Sequence, residues 1–146
     1  METMIESVNS LLDGATVPDN FIESVLERLK SFGVNVTEDD TWLIAFSIRY
    51  THNTICNECN ISEIPDGLFS VAVDIACGEY MNTAKSMCKL HVDNIDLTGA
   101  ITQIKEGDTS ITFDASASDE SKLSAFINYL LHGRKGELVC YRKMYW

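Results

Sequence analysis

The sequence is poor in positive charge and has no long apolar run. Eleven lysines and arginines stand against 22 aspartates and glutamates, which gives a net charge of −11. This balance argues against simple electrostatic binding to nucleic acid or to an anionic membrane. No apolar run approaches the ~20 residues that cross a bilayer, and the first residues, METMIESVNSLL, carry acids where a signal peptide needs cations. We therefore expect no targeting segment and no membrane span.

Signatures of catalysis and of phosphate binding are also missing. The segment EGDT at 106–109 has one glycine and no following Lys-Ser/Thr, so it is not a phosphate loop. The acid pairs at 39–40 and 119–120 fall in the first turns of predicted helices, where the helix dipole accounts for them. His52 and Cys56 have the i, i+4 spacing of a helix, but this supplies neither an orienting third group nor oxyanion donors. The sequence predicts no enzymatic activity and no cofactor.

A metal site is the one alternative that the cysteines offer. The chain has five cysteines, an odd number, and we expect reduced thiols in a chain that is not exported. His52, Cys56 and Cys59 form H-x3-C-x2-C, and His91 would be the fourth ligand of a tetrahedral zinc site. Structural zinc sites usually show two ligand pairs, whereas only one pair of cysteines is close here. We predict no metal, and a small Cys/His metal-binding protein remains the alternative from a different functional class.

Apolar residues at helical spacing predict one small helical domain. The length of 146 residues and the apolar content of 45% suit a single core. A weak helix over the first dozen residues is broken at Asp13 and Gly14. A second helix begins near Pro18 and ends at Gly33, because proline suits a first turn and glycine a helix end.

The next predicted helix begins with a capping box and carries an aromatic face. Thr37 is the N-cap, Asp40 is placed to reach back to it, and the helix continues to about Cys56. Four large residues lie along one face of this helix: Trp42, Leu43, Phe46 and Tyr50. We expect the apolar stripes of the helices to satisfy one another in the bundle.

Two further helices complete the predicted bundle of four to five. Pro65 and Asp66 begin a long helix in which Gly78 costs about 1 kcal/mol relative to alanine, so we predict a close helix crossing there. The last helix ends at Gly133. Its amphipathic stripe consists of Leu123, Phe126, Ile127, Leu130 and Leu131.

The segment before the last helix has the pattern of a β-hairpin. In AITQIKEGDTSITF, residues 100–113, apolar residues alternate with Ser and Thr after a Glu-Gly-Asp turn, and Gly107 can take the positive φ of a tight turn. An isolated two-stranded hairpin is marginal in water, so it must lie on the helices or pair with strands from elsewhere. Both alternatives stay open at this point.

The C-terminal residues differ from the rest in charge. Residues 134–146 carry four cations against Glu137, a net of +3, so the remainder carries −11 − 3 = −14. Within them, YRKMYW at 141–146 holds three aromatic residues. These aromatics either fold back onto the helices and complete the core, or make a dedicated contact with a partner.

The order of these segments resembles the head–tail connector proteins of long-tailed bacteriophages, which are also called adaptor or head-completion proteins. The resemblance extends from about Asp39 to Trp146. It rests on NISEIPDGL at 60–68, IKEGDTSI at 104–111 and ELVCYRKMYW at 137–146, in that order. None of these is a catalytic signature, so their combination carries the resemblance.

The resemblance implies a structural virion protein without enzymatic activity. Such proteins form a ring, usually of twelve copies, beneath the portal, extend the DNA channel and present a surface to later head-completion or tail proteins. The fold it implies is mainly α, with a helical domain 1–136 that includes the hairpin and an extended C-terminal arm 137–146 that docks on the portal. The implied location is the virion, after synthesis in the host cytoplasm.

The resemblance also indicates which residues make contacts. The implied portal- or partner-binding residues are Tyr141, Arg142, Lys143, Met144, Tyr145 and Trp146. The implied contacts between neighbouring subunits are Lys105, Glu106, Gly107 and Asp108 at the hairpin tip. A different ring-forming head-completion protein or a tail-terminator protein is the alternative in the same class. DNA is expected to pass through the ring without specific binding, because an acidic lumen does not hold phosphates.

Overall fold

The computed structural model describes residues 2–12, 17–88 and 119–142. The prediction of a mainly helical protein is confirmed, and these residues contain no strand. The predicted hairpin 100–113 lies outside the described residues, as do its four contact residues, Lys105, Glu106, Gly107 and Asp108, and the segment Lys143–Trp146.

Five α-helices and three short 3-10 helices make up the described fold. The α-helices are α1 (Glu2–Leu11), α2 (Phe21–Ser31), α3 (Thr41–Cys59), α4 (Phe69–Ser86) and α5 (Asp119–His132). The 3-10 helices are Glu38–Asp40, Asp66–Leu68 and Lys135–Tyr141. No described helix is long and apolar enough to traverse a lipid bilayer.

The end of α2 follows the local sequence, whereas its start at Phe21 lies three residues after the predicted start near Pro18. Pro18 lies in the turn before the helix and accepts a hydrogen bond from the Phe21 amide at 3.2 Å. At the other end Gly33 has a φ of 84°, and the Val34 amide reaches back to the Leu29 carbonyl at 3.0 Å. A glycine in this left-handed conformation is a common helix end, so the predicted stop at Gly33 is confirmed.

The start of α3 shows the predicted capping box. The Thr37 amide donates to the Asp40 carboxylate at 3.1 Å. In return, the Thr37 side chain accepts a hydrogen bond from the Asp40 backbone amide. The helix runs to Cys59, three residues beyond the predicted end near Cys56. It ends at Asn60, which has a φ of 59°, because asparagine is one of the few residues that tolerates this conformation.

The long helix α4 forms the centre of the core. All eight residues from 71 to 78 are buried, and α4 packs against α2, α3 and α5. The helices α3 and α4 run antiparallel, since the short connection 60–68 joins them and Tyr80 lies beside Asp40 at the start of α3. Gly78 contacts α5, so the predicted close crossing is confirmed.

Aromatic pairs join the outer helices to this core. Phe32, which follows α2, meets Phe126 of α5 edge to face with ring centroids 4.9 Å apart. Phe21 of α2 meets Phe69 of α4 in the same manner at 5.7 Å. Edge-to-face pairs contribute about 0.5–1.5 kcal/mol beyond the area they bury.

Candidate interaction surfaces

A buried carboxylate attaches the start of the C-terminal segment to the body. Asp74, in the middle of α4, has a side chain only 8% exposed and lies between two guanidinium groups. Arg28 of α2 is 3.4 Å away, and Arg134, directly after α5, is 3.0 Å away. Arg134 also donates to Ser70 at 3.0 Å and to Glu137 at 2.6 Å. Hydrogen bonding to Glu137, with a further contribution from Asp74, raises the pKa of Arg134.

The residues after this cluster pack against the end of α3. Leu138 is 1% exposed, and the Cys59 thiol donates to its carbonyl at 3.4 Å. The Tyr141 ring lies against Gly67, where a side chain would collide with the phenol. Arg142 forms an ion pair with Glu58. The C-terminal segment is therefore fastened to the bundle as far as residue 142.

This differs from the predicted extended arm. Residues 137–141 belong to the 3-10 helix Lys135–Tyr141, which crosses the predicted boundary after residue 136. Of the six predicted contact residues, Tyr141 and Arg142 contact their own chain, at Gly67 and Glu58. The other four, 143–146, lie outside the described residues. The physical reason is the burial of Leu138 together with the hydrogen bond and ion pair at Cys59 and Glu58.

Two cations of the basic segment neutralise acids of the same chain. Arg134 is paired with Asp74 and Glu137, and Arg142 is paired with Glu58. These pairs account for part of the charge asymmetry in the sequence. A basic segment on an acidic body indicates a contact, and for these two arginines the contact is intramolecular.

Two residues of the candidate metal motif, His52 and Cys56, lie together, whereas the third, Cys59, is directed elsewhere. The Cys56 sulfur is 3.8 Å and 3.9 Å from the two ring nitrogens of His52. Cys59 instead is directed into the core toward Leu138. Among residues 2–12, 17–88 and 119–142 no group of three or more His, Cys, Asp or Glu side chains could hold a metal ion; His91 lies outside these ranges.

The electrostatics of these thiols also disfavour the thiolate that binds metal. Burial raises the pKa of Cys56, and the neighbouring Cys59 and Glu63 raise it further. Burial and Glu58 raise the pKa of Cys59, although Arg142 opposes them. A cysteine that binds metal or attacks a substrate must ionise, and a lowered pKa favours this. The pKa values of Cys56 and Cys59 are raised instead.

The outer face of α3 carries three exposed aromatic side chains. Trp42 is 58% exposed, Phe46 53% and Tyr50 46%, and we call these three residues the aromatic stripe. The Trp42 and Phe46 rings contact each other with centroids 5.4 Å apart and planes inclined by 35°. Of the four residues predicted on this face, only Leu43 packs partly against the core. We expected this face to pack against another helix, and that prediction is wrong for the exposed residues Trp42, Phe46 and Tyr50.

The opposite face of α3 explains this outcome. Ile44, Ile48 and Ile55 are fully buried and point toward the core. The helix therefore has apolar residues on two faces, of which only one can pack against α4. Sequence reasoning missed the exposed surface, although an apolar content too large for a single stripe is a signal that could have found it.

A cleft adjoins the aromatic stripe at its Trp42 end. It has a volume of about 370 Å³ and lies between α1 and the start of α3. Met4, Leu11 and Trp42 provide apolar walls, and Glu38 provides a carboxylate. Ser7, Ser10 and Thr41 complete the lining. The stripe is apolar, and the cleft, in which four of the seven lining residues are polar, adds a negative charge at one end. Together they suit a ligand with aromatic groups and a cation.

Comparison with known proteins does not add a relative to this picture. No protein-family model matches the chain, and neither a curated protein nor a solved structure gives a significant match.

Proposed function

We propose that the chain is a structural subunit of a phage head–tail connector, which forms a ring on the portal. The ring extends the DNA channel and receives later head-completion or tail proteins. The proposal starts from the order of segments in the sequence, and the structure supports it through one observation, the aromatic stripe. Three large aromatic side chains on the outer face of a helix form an apolar patch of the kind that often marks a contact with a partner.

The charge of the body supports the same role. Outside residues 134–146 the net charge is −14. A channel wall short of cations lets DNA slide, because phosphate binding depends on Lys and Arg contacts. The basic C-terminal arm is expected to bind either the portal or a neighbouring subunit, and both receptors stay open.

Electron microscopy of the protein mixed with portal tests the proposal. The portal protein encoded by the same genome is assembled into rings, and a molar excess of this chain is added. We expect a second ring stacked on one face of the portal. Portal rings that stay bare at an excess of the chain would exclude the connector role.

The assembly state in dilute solution follows from the charge. Subunits with strongly acidic bodies repel one another until the portal holds many copies at high effective concentration. We expect a monomer or a weak oligomer by light scattering at micromolar concentration, and stronger association when added salt screens the charge. A dimer that persists under all conditions would count against a ring, because a ring needs a head-to-tail interface.

A further inference from the structure

We infer that the aromatic stripe and its cleft bind residues Lys143–Trp146 of a neighbouring copy. This deepens the proposed function, on which it rests, by naming the contact between subunits. The stripe is Trp42, Phe46 and Tyr50, and the cleft adds Met4 and Glu38. The incoming segment has the sequence KMYW, which carries one cation, one flexible thioether and two aromatic rings.

The chemistry of the two surfaces is complementary. The aromatic stripe and the apolar side of the cleft suit the tyrosine, tryptophan and methionine side chains, since aromatic pairs and sulfur–aromatic contacts each add to the area they bury. The exposed carboxylate of Glu38 at the cleft suits the ammonium group of Lys143. Two acidic bodies repel each other, so a basic segment is the part of a second copy that can approach this surface most easily.

The size of the stripe predicts a weak contact. Three half-exposed aromatic side chains offer on the order of 300 Å², whereas a stable interface needs about 800 Å² from each partner. Neither a second stripe nor a four-residue segment would therefore form a stable pair in dilute solution, and the portal has to hold the copies together. Charge favours the segment over a second stripe, because Lys143 meets Glu38 whereas two facing stripes would bring like charges together. The segment also continues a backbone that is anchored at the buried Leu138.

The geometry places the receptor on another copy. Arg142 pairs with Glu58, which is sixteen residues after Trp42 in α3. Sixteen residues of helix measure about 24 Å, whereas the backbone of four extended residues spans at most about 14 Å. The segment 143–146 can approach Tyr50 of its own copy but cannot run along the stripe to the cleft at Trp42. The segment 143–146 of a neighbour is not subject to this limit and can fill the whole surface.

Two variants separate the two halves of this contact. The first is the chain truncated after Arg142, which keeps the stripe and loses the segment. The second is W42S/F46S/Y50S, which keeps the segment and loses the stripe. The changed residues are half-exposed or outside the described body, so both variants should match the wild type in helical circular dichroism. The truncated chain should also match it in urea unfolding, while the triple variant should unfold cooperatively at a lower urea concentration, because about half of each aromatic side chain is buried. Val139→Ser, which removes an exposed apolar side chain elsewhere, is the matched control.

Sedimentation equilibrium up to about 1 mM protein measures the association. We expect each variant alone to dissociate at least 10-fold more readily than the wild type, while the Val139→Ser control is unchanged. An equimolar mixture of the two variants should form a 1:1 complex and nothing larger, because one copy supplies the stripe and the other the segment. This complementation is specific to a head-to-tail contact.

Each other outcome overturns the inference. Wild-type association of the truncated chain would show that stripes meet each other or that the stripe is not used. Wild-type association of the triple variant, a mixture without the complex, or a wild type that stays monomeric at about 1 mM would each exclude the contact. A truncated chain that associates normally but no longer decorates portal rings would make the portal the receptor. In that case this inference fails while the connector function stands.

Discussion

Gly78 of α4 lies so close to α5 that a Cβ atom added to it would be 2.9 Å from the Cβ of Leu130. The same atom would be 3.1 Å from the Leu131 backbone amide nitrogen. Real Cβ atoms are almost never found at the first distance, and a backbone atom cannot move aside cheaply. The glycine therefore sets the separation of the two helices, and its cost to α4 is offset by the packing it permits.

Gly78→Ala is therefore expected to destabilise the protein. Alanine gains about 1 kcal/mol in helix propensity, but overpacking a crossing costs about 1–3 kcal/mol or more. Because the Leu131 backbone is among the atoms in the way, we expect the upper part of this range, and so a net loss of about 1–2 kcal/mol in the free energy of unfolding, measured by urea denaturation. Gly136→Ala is the control, because a Cβ there meets nothing within 4 Å. Equal or greater stability of Gly78→Ala would show that the crossing can open.

Asp74→Asn is expected to loosen the C-terminal segment. The change removes the charge that holds Arg28 and Arg134, and it leaves two guanidinium groups together without their carboxylate. Breaking a buried pair costs about 3–5 kcal/mol, and we expect about 2 kcal/mol here because both arginines are partly exposed. Limited trypsin digestion should cut faster after Arg134 and Lys135.

Glu137→Gln is the comparison for this prediction. Glu137 also pairs with Arg134, but its side chain is 49% exposed. Exposed pairs contribute little, so the variant should lose no more than about 0.5 kcal/mol. If both variants behaved alike, the cluster at Asp74 would not be the attachment point of the segment.

Leu138→Ala tests whether the 3-10 helix Lys135–Tyr141 belongs to the core. The leucine is 1% exposed and lies against α3, so its truncation should cost about 2–4 kcal/mol. Val139→Ala, in the next position but 57% exposed, should have almost no effect on urea unfolding. Similar small effects of both substitutions would mean that the segment is detached, as the extended arm predicted from the sequence would be.

Stability is expected to fall at alkaline pH. Burial, and then Asp74, raises the pKa of Cys77, while burial, and then Asp40, raises the pKa of Tyr80. Both groups stay neutral in the folded protein at a pH where the unfolded chain ionises. Their contribution is complete below the unfolded pKa values, about 8.5 for cysteine and about 10 for tyrosine. It is lost as the pH rises above them, by up to about 1.4 kcal/mol per pH unit and group.

Urea unfolding between pH 7 and pH 10 measures this decline. Cys77→Ala should decline less steeply than the wild type between pH 8.5 and 10, although its stability at pH 7 is lower because a buried side chain has been shortened. Cys88→Ala, which changes an exposed thiol, should keep the wild-type slope. A Cys77→Ala profile parallel to the wild type would refute the assignment.

Zinc is expected to be absent from the purified protein. Cys59 directs its thiol to the Leu138 carbonyl, and the pKa values of Cys56 and Cys59 are raised. Elemental analysis after dialysis should find far less than one zinc per chain, and a chelator should leave the urea midpoint unchanged. Stoichiometric zinc whose removal unfolds the chain would instead establish the metal-binding alternative.

Local structure in this protein follows from short-range sequence. Thr37 and Asp40 cap the start of α3 because the two side chains and amides are three residues apart and need no other partner. Gly33 ends α2 for the same kind of reason, since the left-handed φ is a property of one residue. The close crossing at Gly78 was also predictable, because a helix accepts glycine in its interior only where close packing compensates for it.

Short-range patterns of this kind specify where the helices lie and how they end. The buried face of α3 and the position of the C-terminal segment depend instead on how the helices pack. Helical periodicity marks both Ile44–Ile48–Ile55 and Trp42–Phe46–Tyr50 as apolar, and the choice depends on which set fits against α4. Likewise, Leu138 reaches the core through contacts with residues that are distant in the sequence, such as Cys59, which lies 79 positions earlier. Local patterns carry no information about such long-range contacts, because their energy exists only after the chain has folded.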